Sequence, residues 1–308
     1  WKRTAVESLR QEKNAERLLG VVVLWLIFET WRLWQVGGEF DGGGGYFHTW
    51  GFLLIDLPVW SVLWVLTAIA FWERAGDDAR QLSETFRSTV LVIMLIMACL
   101  PPIFSDDIYR YVWEGEVVLA GGNPYLSPPA AEELADLRAE EPELFEQVSY
   151  PEISAIYPPL AQGAFALTGL IGSHPVVWRW LLVLLTVVFT TLLFQEWLRE
   201  RGLPEGRMIA FQFHPLLYIE IAIGGHLEGL LLFAMGMLFL AVAAKGWASA
   251  RVAAGALAAA VLIKPPPLVL LPHLAMQWKK GRTRWAVVAI VCVVIVAAFL
   301  PFAGAGAD

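Results

Sequence analysis

The chain has 308 residues and a formal net charge of -7; 57% of its residues are hydrophobic, 17% are charged, and the mean hydropathy is +0.58. Soluble domains carry about 45–50% apolar and about 25% charged residues, so both departures argue against a soluble domain and for a polytopic membrane protein. Cys99 and Cys292 each lie inside an apolar run and read as small core or lipid-facing residues, not as a disulfide.

Residues 1–17 mix Lys2, Arg3, Arg10, Lys13 and Arg17 with Glu7, Glu12 and Glu16, a pattern for a surface helix on the cytoplasmic side. Residues 18–36 form the first expected span, with Glu29 and Arg32 three apart on one face, where they can neutralise each other. A Gly-rich turn without Lys or Arg follows at 37–49, then a second span at 50–72 with tryptophans near both ends. Arg74, Arg80 and Arg87 mark the next turn, and 89–104 is the third span.

Residues 105–157 are the longest polar segment. Its stretch 130–147 is acidic and helix-prone and reads as a solvated helix face. Tyr157-Pro158-Pro159-Leu160 turns the chain into 160–172, which at about 1.5 Å per residue is short for a hydrocarbon core of about 30 Å. Residues 176–197 are a full span, followed by Arg199, Arg201 and Arg207. A span at 208–225 holds His214-Pro215 and Glu220 and ends in Gly224-Gly225-His226-Leu227-Glu228-Gly229. After 230–244 come Lys245 and Arg251, then a short apolar piece at 252–263 that Lys264-Pro265-Pro266-Pro267 must break. Residues 268–278 run to the basic turn Lys279, Lys280, Arg282 and Arg284, and 285–302 is the last span.

The fold class is therefore all-α: a polytopic transmembrane bundle of about eight to ten membrane helices, some short or broken, with a long external loop. Three parts are expected: N-terminal membrane helices at 1–104, a long external loop with juxtamembrane helices at 105–157, and a membrane bundle at 158–308. Basic residues cluster at the N-terminus and at 74–87, 199–207, 245–251 and 279–284, which the positive-inside rule puts in the cytoplasm. The turns 37–49, 105–157, 224–229 and 264–267 then face outward, provided 160–172 does not cross.

Three features carry chemistry. Asp106 and Asp107 stand where an apolar run gives way to a helix; either could simply cap that helix, or one could serve as general base. Arg110, one turn on, could hold an anion or steady the pair. The glycines before His226 strip bulk from a turn whose backbone N–H groups suit a phosphate, with Glu228 two residues later. Lys264, set among apolar runs, should be paired, snorkel to the headgroups, or meet a lipid phosphate. Tyr109, Tyr111, Tyr125 and Tyr157 offer aromatic platforms for sugar, although membrane interfaces use the same residues.

These pieces resemble the GT-C superfamily of integral-membrane glycosyltransferases, and most nearly the bacterial polyprenol-phosphate-mannose-dependent mannosyltransferases. The matching segments are Ser105-Asp106-Asp107-Ile108-Tyr109-Arg110-Tyr111, Gly122-Asn123-Pro124-Tyr125, Tyr157-Pro158-Pro159-Leu160, His214-Pro215-Leu216 with Gly225-His226, and Lys264-Pro265-Pro266. The resemblance implies transfer of a hexose, mannose by the family's habit, from a polyprenyl-phosphate donor to a glycan or glycolipid acceptor outside the cytoplasm of a bacterial cell, with inversion. It implies Asp106 or Asp107 as catalytic base, Arg110, His226 and Lys264 at the donor phosphate, and Tyr109, Tyr111, Asn123, Tyr125, Tyr157 and Glu228 around the substrates. The family turn commonly reads Gly-His-Asn-Asp where this chain has Leu227 and Glu228 after His226, and the chain reads as lacking C-terminal spans. No cofactor is required; a divalent metal could sit at the Asp pair, but no ligand cluster demands one. Membrane lipids are expected partners and nucleic acid is not. A transporter or lipid flippase would also suit broken helices and intramembrane charges, but it predicts inverted repeats and none is visible.

Overall fold

The computed structural model describes residues 5–37, 52–244, 246–278 and 281–303. The Gly-rich turn at 38–49 and Lys2, Arg3, Lys245, Lys279 and Lys280 lie outside the described residues. Fourteen α-helices and no strand occur among those described. In chain order they are α1 Ala5–Gly37, α2 Leu57–Phe71, α3 Asp77–Met97, α4 Asp107–Leu119, α5 Ala135–Glu140, α6 Pro142–Phe145, α7 Pro159–Gly169, α8 Pro175–Val188, α9 Gln195–Glu200, α10 Arg207–Gln212, α11 Glu228–Ala244, α12 Trp247–Ile263, α13 Leu271–Met276 and α14 Gly281–Phe299.

Among the described residues, four segments are long and apolar enough to cross a membrane: Lys13–Gln35, Leu54–Phe71, Pro175–Glu200 and Gly281–Phe302. A fifth results if Leu217–Ile223 and Glu228–Ala244 are counted as one broken span. They expose large apolar side chains such as Leu24, Trp31, Ile69 and Val296, as lipid-facing helices do. The chain is an integral membrane protein of helical-bundle type. Two of the apolar pieces in the second half are short or broken. The apolar stretch at 160–172 contributes only the 11 residues of α7, about 16 Å of helix. The expected span at 208–225 is broken: α10 stops at Gln212, the helix lapses at Phe213 and His214, and it resumes at Pro215, which has no N–H to donate and so suits a first turn, running into Leu217–Ile223. The acidic stretch splits into a turn of 3₁₀-helix, α5 and α6, interrupted at Glu141-Pro142.

The chain divides into two compact units: residues 1–104 with 190–223, and 105–189 with 224–308. In the first, α2 packs on α10; Trp64 donates to the Ala210 carbonyl (2.8 Å), and buried Trp60 sits against Phe213 and Tyr218. The Glu29–Arg32 pair forms at 2.9 Å, and Arg32 also takes Asp56 at 2.5 Å, a partner the spacing did not foretell.

The second unit is built on close helix contacts. Ala250, Ala253, Ala254 and Ala258 make a small-residue face on α12 that packs with Leu238 of α11 and Val287 and Val291 of α14. Lys264 ends α12 in extended conformation (φ -142, ψ 134), as a residue before proline prefers. α4 lies on α7 at Gly115, where a Cβ would come within 2.6 Å of the Phe165 carbonyl oxygen. α8 starts cleanly: Pro175 occupies its first turn and the His174 ring accepts from the Val176 N–H at 3.1 Å.

Candidate active site

All the expected site residues fall in the second unit. α4 opens at Asp106, and neither aspartate caps it; Ser105 Oγ accepts from the Asp107 N–H at 3.2 Å. Asp106 is exposed and Asp107 half-buried, and neither carboxylate has a hydrogen-bond or ion partner among the described residues. Asp107 lines a cavity of about 120 Å³ together with Arg110, Glu114, Ser149, Ile153, Ser154 and Tyr157.

Aromatic residues connect this cavity to the Gly-His turn. The Tyr125 hydroxyl donates to the Tyr157 carbonyl (2.6 Å), and the Tyr157 and Tyr111 hydroxyls bond at 3.1 Å. Tyr111 stacks on Phe165 at 4.9 Å, Phe165 meets Trp178 edge-on, and the Trp178 indole donates to the Gly225 carbonyl at 2.6 Å. Gly225 has φ 68, and a Cβ there would come within 2.7 Å of Ile108 Cδ1 and 2.9 Å of Arg179 Cγ. Past this turn, a ring nitrogen of His226 lies within 4.8 Å of a Glu228 carboxylate oxygen. Glu228 is paired with Lys264 at 2.5 Å, and its second oxygen is buried without a hydrogen-bond partner among the described residues.

The electrostatics tie these groups together. Burial drives the Tyr111 hydroxyl far above the ordinary tyrosine range; Tyr157 beside it and the charges of Asp107 and Glu228 add to the effect. Burial also raises Tyr157, where its bond to Tyr111 opposes and the charges of Asp107, Glu114 and Glu228 reinforce. Burial raises Tyr109 too, with buried Arg179 opposing and Asp106 reinforcing. The charges of Asp107 and Glu228 thus both act on Tyr111 and Tyr157, and Glu228 is held by Lys264, although these residues span more than 150 positions of the sequence. His226 and Glu228 could each offer an atom to a divalent cation.

Other expected residues serve the frame. Tyr111 is 2% exposed, its faces covered by Phe165 and Trp178, so a sugar cannot stack on it. Asn123 closes its own turn by accepting from the Tyr125 N–H at 3.1 Å and donates to the Phe302 carbonyl. The Tyr125 ring packs edge-on against Phe302. Arg110 donates to Glu114 at 2.7 Å and to the carbonyls of Ser149, Tyr150 and Ile153, which engages all but one of a guanidinium's five N–H donors.

The sequence reading missed Glu114, Gln162 and Arg179. Glu114, 2% exposed, accepts from Arg110 and from Gln162 Nε2 (2.5 Å); burial raises its carboxyl against the pull of both partners. Its signal was its place four residues after Arg110, the spacing of a helical ion pair. Arg179 was legible as the lone charge within the apolar helix α8.

The second unit thus holds a half-buried carboxylate in a small cavity, a lysine–glutamate pair and a glycine-rich histidine turn. Residues 46–280, well over half of the chain, match the MptA_B family, described as alpha-(1->6)-mannopyranosyltransferase, N-terminal domain, and the chain belongs to this family. No curated protein and no solved structure gives a match. Family membership makes the protein a membrane mannosyltransferase by class, acting on a sugar donor and a glycan acceptor.

Proposed function

We propose that the protein moves a mannosyl group from a polyprenyl-phosphate donor to a glycan or glycolipid acceptor by a single inverting displacement, with Asp107 as general base. Asp107 takes the proton of the acceptor hydroxyl as its oxygen bonds to the anomeric carbon. The bond from that carbon to the phosphate oxygen breaks, and polyprenyl phosphate leaves with the electron pair. We assign the phosphate to Lys264 and His226 and not to Arg110, whose donors are turned to protein oxygens. Lys264 keeps two further N–H donors beyond the one given to Glu228. The distribution of basic turns supports a site on the face away from the cytoplasm.

The observation that carries this reading is the Asp107 carboxylate: half-buried, in a cavity, and not used to cap its helix. Asp106 shares the border but is exposed. The test is mannosyl transfer from a polyprenyl-phosphate mannose by the purified protein. Asp107→Asn is expected to lower kcat by about 10²–10⁴-fold, the usual worth of a general base. Asp106→Asn should cost less than tenfold, and Lys264→Ala should raise the donor KM. Wild-type turnover in Asp107→Asn would refute the base assignment.

A further inference from the structure

Arg110 holds down a strap. From α4 its guanidinium reaches the carbonyls of Ser149, Tyr150 and Ile153, roughly forty residues later. Glu114 orients it at 2.7 Å, and Gln162 of α7 fixes Glu114 from the other side. The relay Gln162–Glu114–Arg110 sets the position of residues 149–157 over the first turns of α4. Tyr150 adopts φ 50 within the strap, a left-handed conformation that a bulky side chain rarely takes. Such strain persists where the surroundings over-determine the backbone, and it gathers at ligand clamps.

Under the strap lies the cavity of about 120 Å³, about four waters' share of liquid volume and on the scale of one sugar ring, not two. Asp107 stands at its α4 side and Tyr157 closes the end of the strap. Ser149 and Ser154 bring hydroxyls, and Ser149 Oγ has no partner among the described residues. Ile153 and Ile156, 52% and 76% exposed, form an apolar rim on an otherwise polar segment. A carboxylate, spare hydroxyls and aliphatic side chains match the hydroxyl-studded edge and the C–H face of a pyranose. Lys264, the cation assigned to the donor phosphate, does not line this cavity.

We propose that this cavity is the acceptor subsite: it receives the terminal sugar of the acceptor glycan and presents one hydroxyl to Asp107, while Glu114 acts through Arg110 as a positioning residue for the strap. The assignment rests on the transfer reading above, since Asp107 is the base in both.

The kinetic test compares wild-type protein with Glu114→Gln and Arg110→Lys, using polyprenyl-phosphate mannose and α-(1→6)-mannobiose. Both variants are expected to raise the acceptor KM about tenfold and shift the donor KM less than twofold, because Lys lacks the fork and Gln lacks the charge. A loss of folded protein or of kcat with both KM values unmoved would mark a merely structural relay and overturn the proposal. A second measurement does not need turnover. Ser154→Cys, in protein lacking Cys99 and Cys292, is labelled with a maleimide in the presence and absence of mannobiose. Mannobiose is expected to slow labelling at least threefold, and an unchanged rate at saturating sugar overturns the subsite. Protection without any transfer from the polyprenyl donor would uphold the subsite and overturn the donor assignment instead.

Discussion

Gly225 illustrates how much one residue can fix. Its φ of 68 suits glycine, its carbonyl takes the Trp178 indole, and both Ile108 and Arg179 press where a Cβ would go. A methyl group there meets strain and overpacking together, at about 1–3 kcal/mol. Gly225→Ala is expected to lower thermal stability by that amount and to reduce mannosyl transfer further than the folded fraction, since the His226 turn moves with it. Thermal unfolding in detergent, read beside specific activity, checks both. Residue type alone also misleads at this scale. Arg110 reads as an anion site on its spacing, yet four of its bonds go to Glu114 and the strap. Nothing in residues 105–111 says that a glutamine at 162 will hold Glu114 in place.

At the scale of elements, α4 and the segment after it form the site, and tyrosines stitch them together. Tyr109, Tyr111, Tyr125 and Tyr157 are all raised above the usual tyrosine value, burial being the first cause in each. A raised tyrosine keeps its proton in the folded state while the unfolded chain releases it near about pH 10. The folded state then binds more protons, so stability falls as pH rises above that value. The unfolding temperature is expected to drop steeply above about pH 10, with these tyrosines ionising only as the protein unfolds. A tyrosinate titration in which all seven tyrosines ionise in the folded protein near the free value would contradict this. Element type was legible from apolar periodicity and from proline. The broken span at Pro215 and the split acidic stretch were not, because local hydrogen-bond loss decides where a run of apolar or helix-prone residues stops being one helix.

At the scale of the whole molecule, α7 is too short to span, and we propose from charge counting that the turns of chemical interest share one side. In protein lacking Cys99 and Cys292, Ile153→Cys is expected to react with an impermeant maleimide in intact cells, and Gly202→Cys only after permeabilisation. Labelling of residue 202 from outside would reverse the topology. The sequence by itself determined the class: the fraction and grouping of apolar residues demand membrane helices, and the Asp-Asp, Asn-Pro-Tyr and Gly-His segments carry the family likeness. Only the tertiary structure decided which charged groups are spent and which are free. Among the described residues Asp107 has no hydrogen-bond or ion partner, Arg110 is consumed and Lys264 is matched to Glu228. The physical reason is that partners for a charge come from segments far along the chain, and their distance is set by helix packing, which no local pattern encodes.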